Sequence, residues 1–168
     1  MGRRFAILMV AGALLSTLLP ATTAGAQTTG DNTCWKYRTP ERAFARKMNA
    51  ARTANNLPKL KLDPELSKAA RVHTNEMVKR DELYHTTDTD LRRRVTSWIL
   101  LGENVGVGGS VSSLEQAFMD SPAHRDNILH PTYRHVGVGV RKANGRMWVT
   151  VIFEAVTDPG TTLQMPRC

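Results

Sequence analysis

The stretch Val136–Phe153, VGVGVRKANGRMWVTVIF, decides how this chain folds. Val136, Val138 and Val140 alternate with Gly137 and Gly139, which is the two-residue period of a strand. Glycine inside a strand lets another backbone approach closely. Asn144-Gly145 is a type I′ hairpin signal, because both central residues of that turn need positive φ. Met147 to Phe153 then returns as a dense β-branched and aromatic strand. A hairpin connection makes the two strands antiparallel.

Upstream, Trp98 to Val107 is apolar with one exception, the acid at Glu103, and supplies a third strand. Helix signals precede and interrupt the strands. Thr39-Pro40-Glu41 reads as N-cap, Pro at the first position and an acid in the first turn, followed by Phe44, Met48 and Ala51 at helical spacing. Asp63-Pro64-Glu65 opens a second helix in the same manner, with Leu66, Ala69, Ala70 and Met77 on its apolar face. His73 lies on that face and reads as a core residue. Asp88 or Asp90 caps a short helix through Leu91 and Val95. Ser112-x-x-Glu115 reads as a capping box before Leu114, Ala117 and Phe118. The expected class is α+β, with helices covering the sheet.

Between the last helix and the hairpin stands Ser121–Leu129, SPAHRDNIL. Ser121 reads as the N-cap and Pro122 as the first helical residue. His124 then falls in the first turn, where the helix dipole disfavours the imidazolium. A neutral imidazole is what a metal ligand or general base needs. Pro131 stops the helix.

The chain has 168 residues, enough for one domain. Arg3-Arg4, the apolar run Phe5–Leu19 and the small-x-small Ala24-Gly25-Ala26 read as a secretory signal peptide, residues 1–26, cleaved after Ala26. Losing Arg3 and Arg4 lowers the formal charge from +8 to +6. That balance favours anionic envelope polymers or lipid headgroups. Arg92-Arg93-Arg94 has no aromatic interleaving and reads as a solvated face, and no nucleic-acid motif accompanies it. No later apolar run is long enough to span a bilayer. Cys34 and Cys168 bracket the exported domain and are expected to form a disulfide.

Three polar residues stand out: His85 in the polar loop after the second helix, Glu103 in its apolar strand, and His124. Burying an acid among Ile99, Leu100, Leu101 and Val105 is costly unless it is paired. Two His and one carboxylate can hold a divalent metal with open positions, or do general acid–base work. Nitrogen ligands suit zinc better than magnesium or calcium.

The order of these motifs resembles the CAP superfamily, named for cysteine-rich secretory proteins, antigen 5 and pathogenesis-related 1 proteins. The short bacterial branch is the nearest in kind. The matching pieces are Met48-Asn49-x-x-Arg52, Leu60-x-Leu62-Asp63-x-x-Leu66-x-x-Ala69, Met77, His85, Gly102-Glu103-Asn104, Ser121-Pro122-Ala123-His124-Arg125-x-Asn127-Ile128-Leu129, Val136–Val140 and the final strand. They cover about residues 41–155. The resemblance implies an α–β–α sandwich around a central antiparallel sheet of three or four strands. It places the domain at 39–158, between an N-terminal arm at 27–38 and a tail at 159–168. The family's cleft is lined by His and Glu and binds divalent metal in some members; those positions carry over as His85, Glu103 and His124. Eukaryotic members have a further acid in the interval where Glu115, Gln116 and Asp120 stand here, and the sequence leaves open whether one of these completes the site.

No nucleophile is identifiable, and no single reaction follows from such a fold. The favoured expectation is a secreted binding module that takes a lipid, a sterol or a cell-envelope component in a His/Glu-lined cleft. One alternative is a metal-assisted hydrolase using His85, Glu103 and His124, with zinc as the expected cofactor. Another is a basic structural protein bound to anionic wall polymer.

Overall fold

The computed structural model describes residues 34–96 and 98–155. Its centre is the hairpin. β3 (His135–Ala143) and β4 (Arg146–Ala155) pair antiparallel, and Asn144 and Gly145 take φ of 51° and 71° in the turn between them. β2 (Leu100–Gly108) pairs antiparallel with the other side of β4 and forms one edge of the sheet. At the opposite edge, β1 (Lys61–Leu62) pairs parallel with β3, giving the order β1-β3-β4-β2. The sheet is therefore mixed rather than wholly antiparallel. A two-residue strand is too short to show alternation, and the long crossover from β1 to β3 permits the parallel direction.

Helices cover both faces. α1 (Thr39–Ala54), α4 (Val111–Asp120) and α5 (Pro122–Ile128) lie on one side. Phe44, Met48, Leu114, Phe118 and Ile128 pack there against Val136, Val138, Val140, Val149, Val151 and Phe153. α2 (Pro64–Arg80) lies on the other, where Leu66, Ala69 and Ala70 meet Ile152 and Met77 meets Val105 and Trp148. The odd-numbered residues of β4 thus serve one layer and the even-numbered ones the other, which makes an α–β–α sandwich. α3 (Asp88–Arg94) is a short surface helix.

Four caps differ from their sequence reading. Arg38, not Thr39, is the N-cap of α1, its backbone N–H donating to Glu41 Oε2 at 2.7 Å. Thr87, not Asp88 or Asp90, caps α3 by accepting from the Asp90 N–H at 3.1 Å. Ser110, not Ser112, caps α4, accepting from the Ser113 N–H at 3.1 Å while Ser113 Oγ accepts from the Ser110 N–H. Ser121 occupies the N-cap position of α5, but its side chain makes no cap bond. It is also the C-cap of α4, its N–H bonding to the Ala117 carbonyl, so one residue serves as the joint between two helices. At α2 the reading stands: Asp63 accepts from the Leu66 N–H at 3.0 Å. The signal peptide, Cys168 and the rest of the tail lie outside the described residues.

Candidate functional site

β2 alternates its side chains between the two layers. Glu103 emerges on the side of the loop that follows α2, and that loop carries His85. Glu103 is nearly buried and both its carboxylate oxygens are hydrogen-bonded. Oε1 accepts from the Thr86 backbone N–H and from His85 Nδ1, both at 2.9 Å, and Oε2 accepts from the Thr86 hydroxyl at 2.5 Å. The cost of burying this acid is offset by three donors. The contact places the His85 proton on Nδ1 and leaves Nε2 as the free nitrogen of a largely exposed ring.

His73 holds the loop that presents His85. It is buried in α2, and its Nε2 bonds the Tyr84 carbonyl at 2.7 Å while the two rings meet edge to face at 4.9 Å. It is a structural residue, as its place on an apolar helix face suggested.

His124 comes from the first turn of α5 and packs its ring against Phe118 at 5.0 Å. Its Nδ1 is buried without a hydrogen-bond partner. Burial, reinforced by the nearby His85, holds its pKa below 6.5, so the neutral ring is favoured. α5 is locked to β2 by two asparagines. Asn104, fully buried, donates to the His124 carbonyl at 3.0 Å. Asn127 donates to the Asn104 side-chain oxygen at 2.8 Å and to the Glu103 carbonyl at 3.2 Å. The second bond satisfies a carbonyl on the open edge of the sheet.

The structure thus joins His85 to Glu103 directly and brings His124 within electrostatic range of His85, bonded to neither. Among the described residues no group of three or more His, Cys, Asp or Glu is arranged to hold a metal ion. The trio expected as zinc ligands is not gathered as such a group; Glu103 is hydrogen-bonded to His85 and Thr86 instead. The residues of the acid interval have other partners. Glu115 lies 3.9 Å from Lys47 of α1, and Gln116 donates to Asp120 at 2.9 Å; none of the three bonds a member of the trio. Sequence reading missed Thr86, for which there was no signal. It also missed the bracing role of Asn104 and Asn127, whose only trace was a polar residue beside each expected site residue.

Comparison with known proteins agrees with this architecture. The description "Cysteine-rich secretory protein family", CAP, matches residues 45–153. The chain is 33% identical over 107 residues to the uncharacterized protein YkwD of Bacillus subtilis, which covers 60% of this chain and 41% of that one. The chain therefore spans less than half of that relative's length. An extracellular protein containing an SCP domain from Bacillus anthracis superposes with a TM-score of 0.62 at 24% identity, over 69% of this chain and 40% of the other. An outer surface protein of Borrelia burgdorferi gives 0.66 at 18% identity, over 74% of this chain and 100% of the other. At those identities the two structures bear on the fold alone. No helix among the described residues is long and apolar enough to cross a membrane. With its matched span running from α1 through β4, the chain belongs to the cysteine-rich secretory protein family, CAP.

Proposed function

We propose that this chain is a secreted binding module whose cleft at His85, Glu103 and His124 takes a polar group of a lipid, sterol or cell-envelope component. The carrying observation is how the polar atoms are spent. Three of the roughly four acceptor sites of Glu103 are taken by His85 and Thr86, so it serves chiefly to orient His85. No hydroxyl or thiol among the described residues bonds His85 or His124, so no activated nucleophile supports acyl transfer. What remains is His85 Nε2 on an exposed ring, free to bond a ligand's polar group, with the neutral His124 ring nearby. The test is a mass-spectrometric inventory of molecules retained by the protein purified from its native culture. Wild type should retain an organic ligand that His85→Ala/His124→Ala loses. Equal retention by the double variant would reject the cleft.

A second reading is a zinc site, and the unpartnered His124 nitrogen favours it. Neutral imidazole is the ligand form, and Glu103 behind His85 is the carboxylate–histidine arrangement that orients metal ligands. Glu103 would then support the site from behind rather than ligate. Zinc held there would supply the Lewis acid that the hydrolase alternative needs. Calorimetric zinc titration of the metal-stripped chain at neutral pH should show binding that His85→Ala and His124→Ala each weaken at least tenfold, with His73→Ala leaving affinity unchanged if it folds. Zinc affinity that survives loss of both His85 and His124 would end this reading.

A further inference from the structure

The start of β2 carries a surface that the cleft does not use. Ile99 is 64% exposed and Leu100 39%, an adjacent pair among only four large apolar residues so exposed in the described chain. Trp98, partly buried, stands next to them, and with Leu91 and Leu101 they line a shallow cavity of about 150 Å³. The Arg92 guanidinium lies over the Trp98 ring, 4.9 Å from its centroid. Its neighbours are committed elsewhere: Arg93 pairs with Asp90 at 2.5 Å and Arg94 with Glu76 at 2.8 Å. Arg92 has no acid partner among the described residues, although Asp88 borders the cavity.

We infer that this patch seats the domain on an anionic phospholipid surface, with Ile99 and Leu100 entering the acyl boundary. Trp98 would lie at headgroup level and Arg92 would meet a lipid phosphate. An aromatic ring at the boundary, flanked by a cation and exposed aliphatic side chains, has the chemistry of an interfacial anchor. The formal charge of +6 for residues 27–168 attracts the domain to such a surface before contact. Zwitterionic lipid also carries a phosphate, but its choline cancels that charge and its surface exerts no long-range pull on a +6 domain; a second copy of the chain would bring Arg92 against Arg92. Glu103 stands three positions beyond Leu100 on the same strand, about 10 Å away, so docking holds the cleft beside the bilayer.

The test uses the chain from Gln27 onward, which contains every core residue of the described fold. It is mixed at low ionic strength with phosphatidylcholine vesicles containing 30% or no phosphatidylglycerol, and the bound fraction is read by co-sedimentation. Binding should require the anionic lipid. Ile99→Ser/Leu100→Ser should lower the partition coefficient at least about tenfold, since two apolar side chains no longer leave water. Arg92→Gln should weaken binding severalfold and flatten its salt dependence. His85→Ala/His124→Ala should bind vesicles like wild type, which separates failure of this surface from failure of the cleft. Circular dichroism verifies that each variant folds. Absence of anionic-vesicle binding, or binding indifferent to the Ile99/Leu100 change, would overturn the inference. Self-association in sedimentation analysis that the same change abolishes would also overturn it, in favour of a second copy of the chain.

Discussion

Arg52 shows how much a single side chain can organise. It is fully buried at the end of α1, and its guanidinium donates to four backbone carbonyls. These are Pro58 and Ile128 at 2.8 Å, His130 at 2.9 Å and Tyr133 at 3.2 Å. Burial, then the charge of Arg134, lowers its pKa, and a guanidinium tolerates this without losing its proton. The fork ties α1 to the end of α5, the helix that carries His124. Arg52→Met strands those carbonyls and should cost roughly 3 kcal/mol or more in urea unfolding. Arg52→Lys should recover only part, because an ammonium cannot span four acceptors. A loss below about 1 kcal/mol would contradict this account. Glu154 is the opposite case, a buried acid whose two oxygens accept no hydrogen bond. His135 Nδ1 lies 3.7 Å away, and Asp63 and Glu65 add negative charge nearby. Burial, reinforced by those two acids, pushes its pKa from 4.5 up to about 8. The folded chain then holds a proton that the unfolded chain releases. Its stabilising effect is whole below about pH 4.5, falls as pH rises and is gone above about 8. Denaturation midpoints measured between pH 5 and 8.5 should therefore decline, and Glu154→Gln should flatten the decline. An unchanged slope in the variant would remove Glu154 as its source.

At the scale of elements, the decisive contact is α2 against β3. A Cβ at Gly137 would strike the backbone and Cβ of Leu66, and one at Gly139 would strike the backbone of Ala70. Leu66 and Ala70 are four positions apart, hence on one face of α2. The two glycines let that face settle directly on the strand. Gly137→Ala must push helix and sheet apart along their whole contact. It should cost roughly 3 kcal/mol or prevent folding, at the upper end of overpacking effects. Gly109→Ala has open space around its Cβ and should shift stability by no more than about 0.5 kcal/mol. Thermal melts of the pair decide the point, and equal melting temperatures would refute it. The glycine alternation was legible in the chain as a close-approach signal. The identity of the approaching backbone was not, because it depends on how a helix some seventy positions earlier lies across the sheet.

For the whole molecule, two expectations involve at least one residue outside the described ones. If Ala24-Gly25-Ala26 is the cleavage site, the secreted chain begins at Gln27. Intact mass spectrometry of the culture fraction would show this, and a retained Met1 would reject it. If Cys34 and Cys168 are bridged, the same sample, denatured but unreduced, should bind no thiol reagent. The closed loop would contribute roughly 5 kcal/mol by loop-closure entropy, before any native strain. Two reactive thiols would exclude the bridge.

The sequence by itself determined the parts of this protein that rest on local backbone chemistry. Asn144-Gly145 specifies its turn through positive φ, and Asp63-Pro64 starts α2 because a side-chain acceptor and a missing N–H both suit a helix N-terminus. The two-residue period of β3 and β4 assigns their faces. Tertiary structure alone decided the rest, for one physical reason: contacts between distant residues follow from the stacking of layers, to which local patterns are indifferent. It set β1 parallel to β3, beyond the reach of a two-residue pattern. It left Ser121 without its cap bond by placing it at the joint of α4 and α5. It also closed Thr86 and His85 onto Glu103, giving the strand's one acid hydrogen-bond partners that no local pattern names.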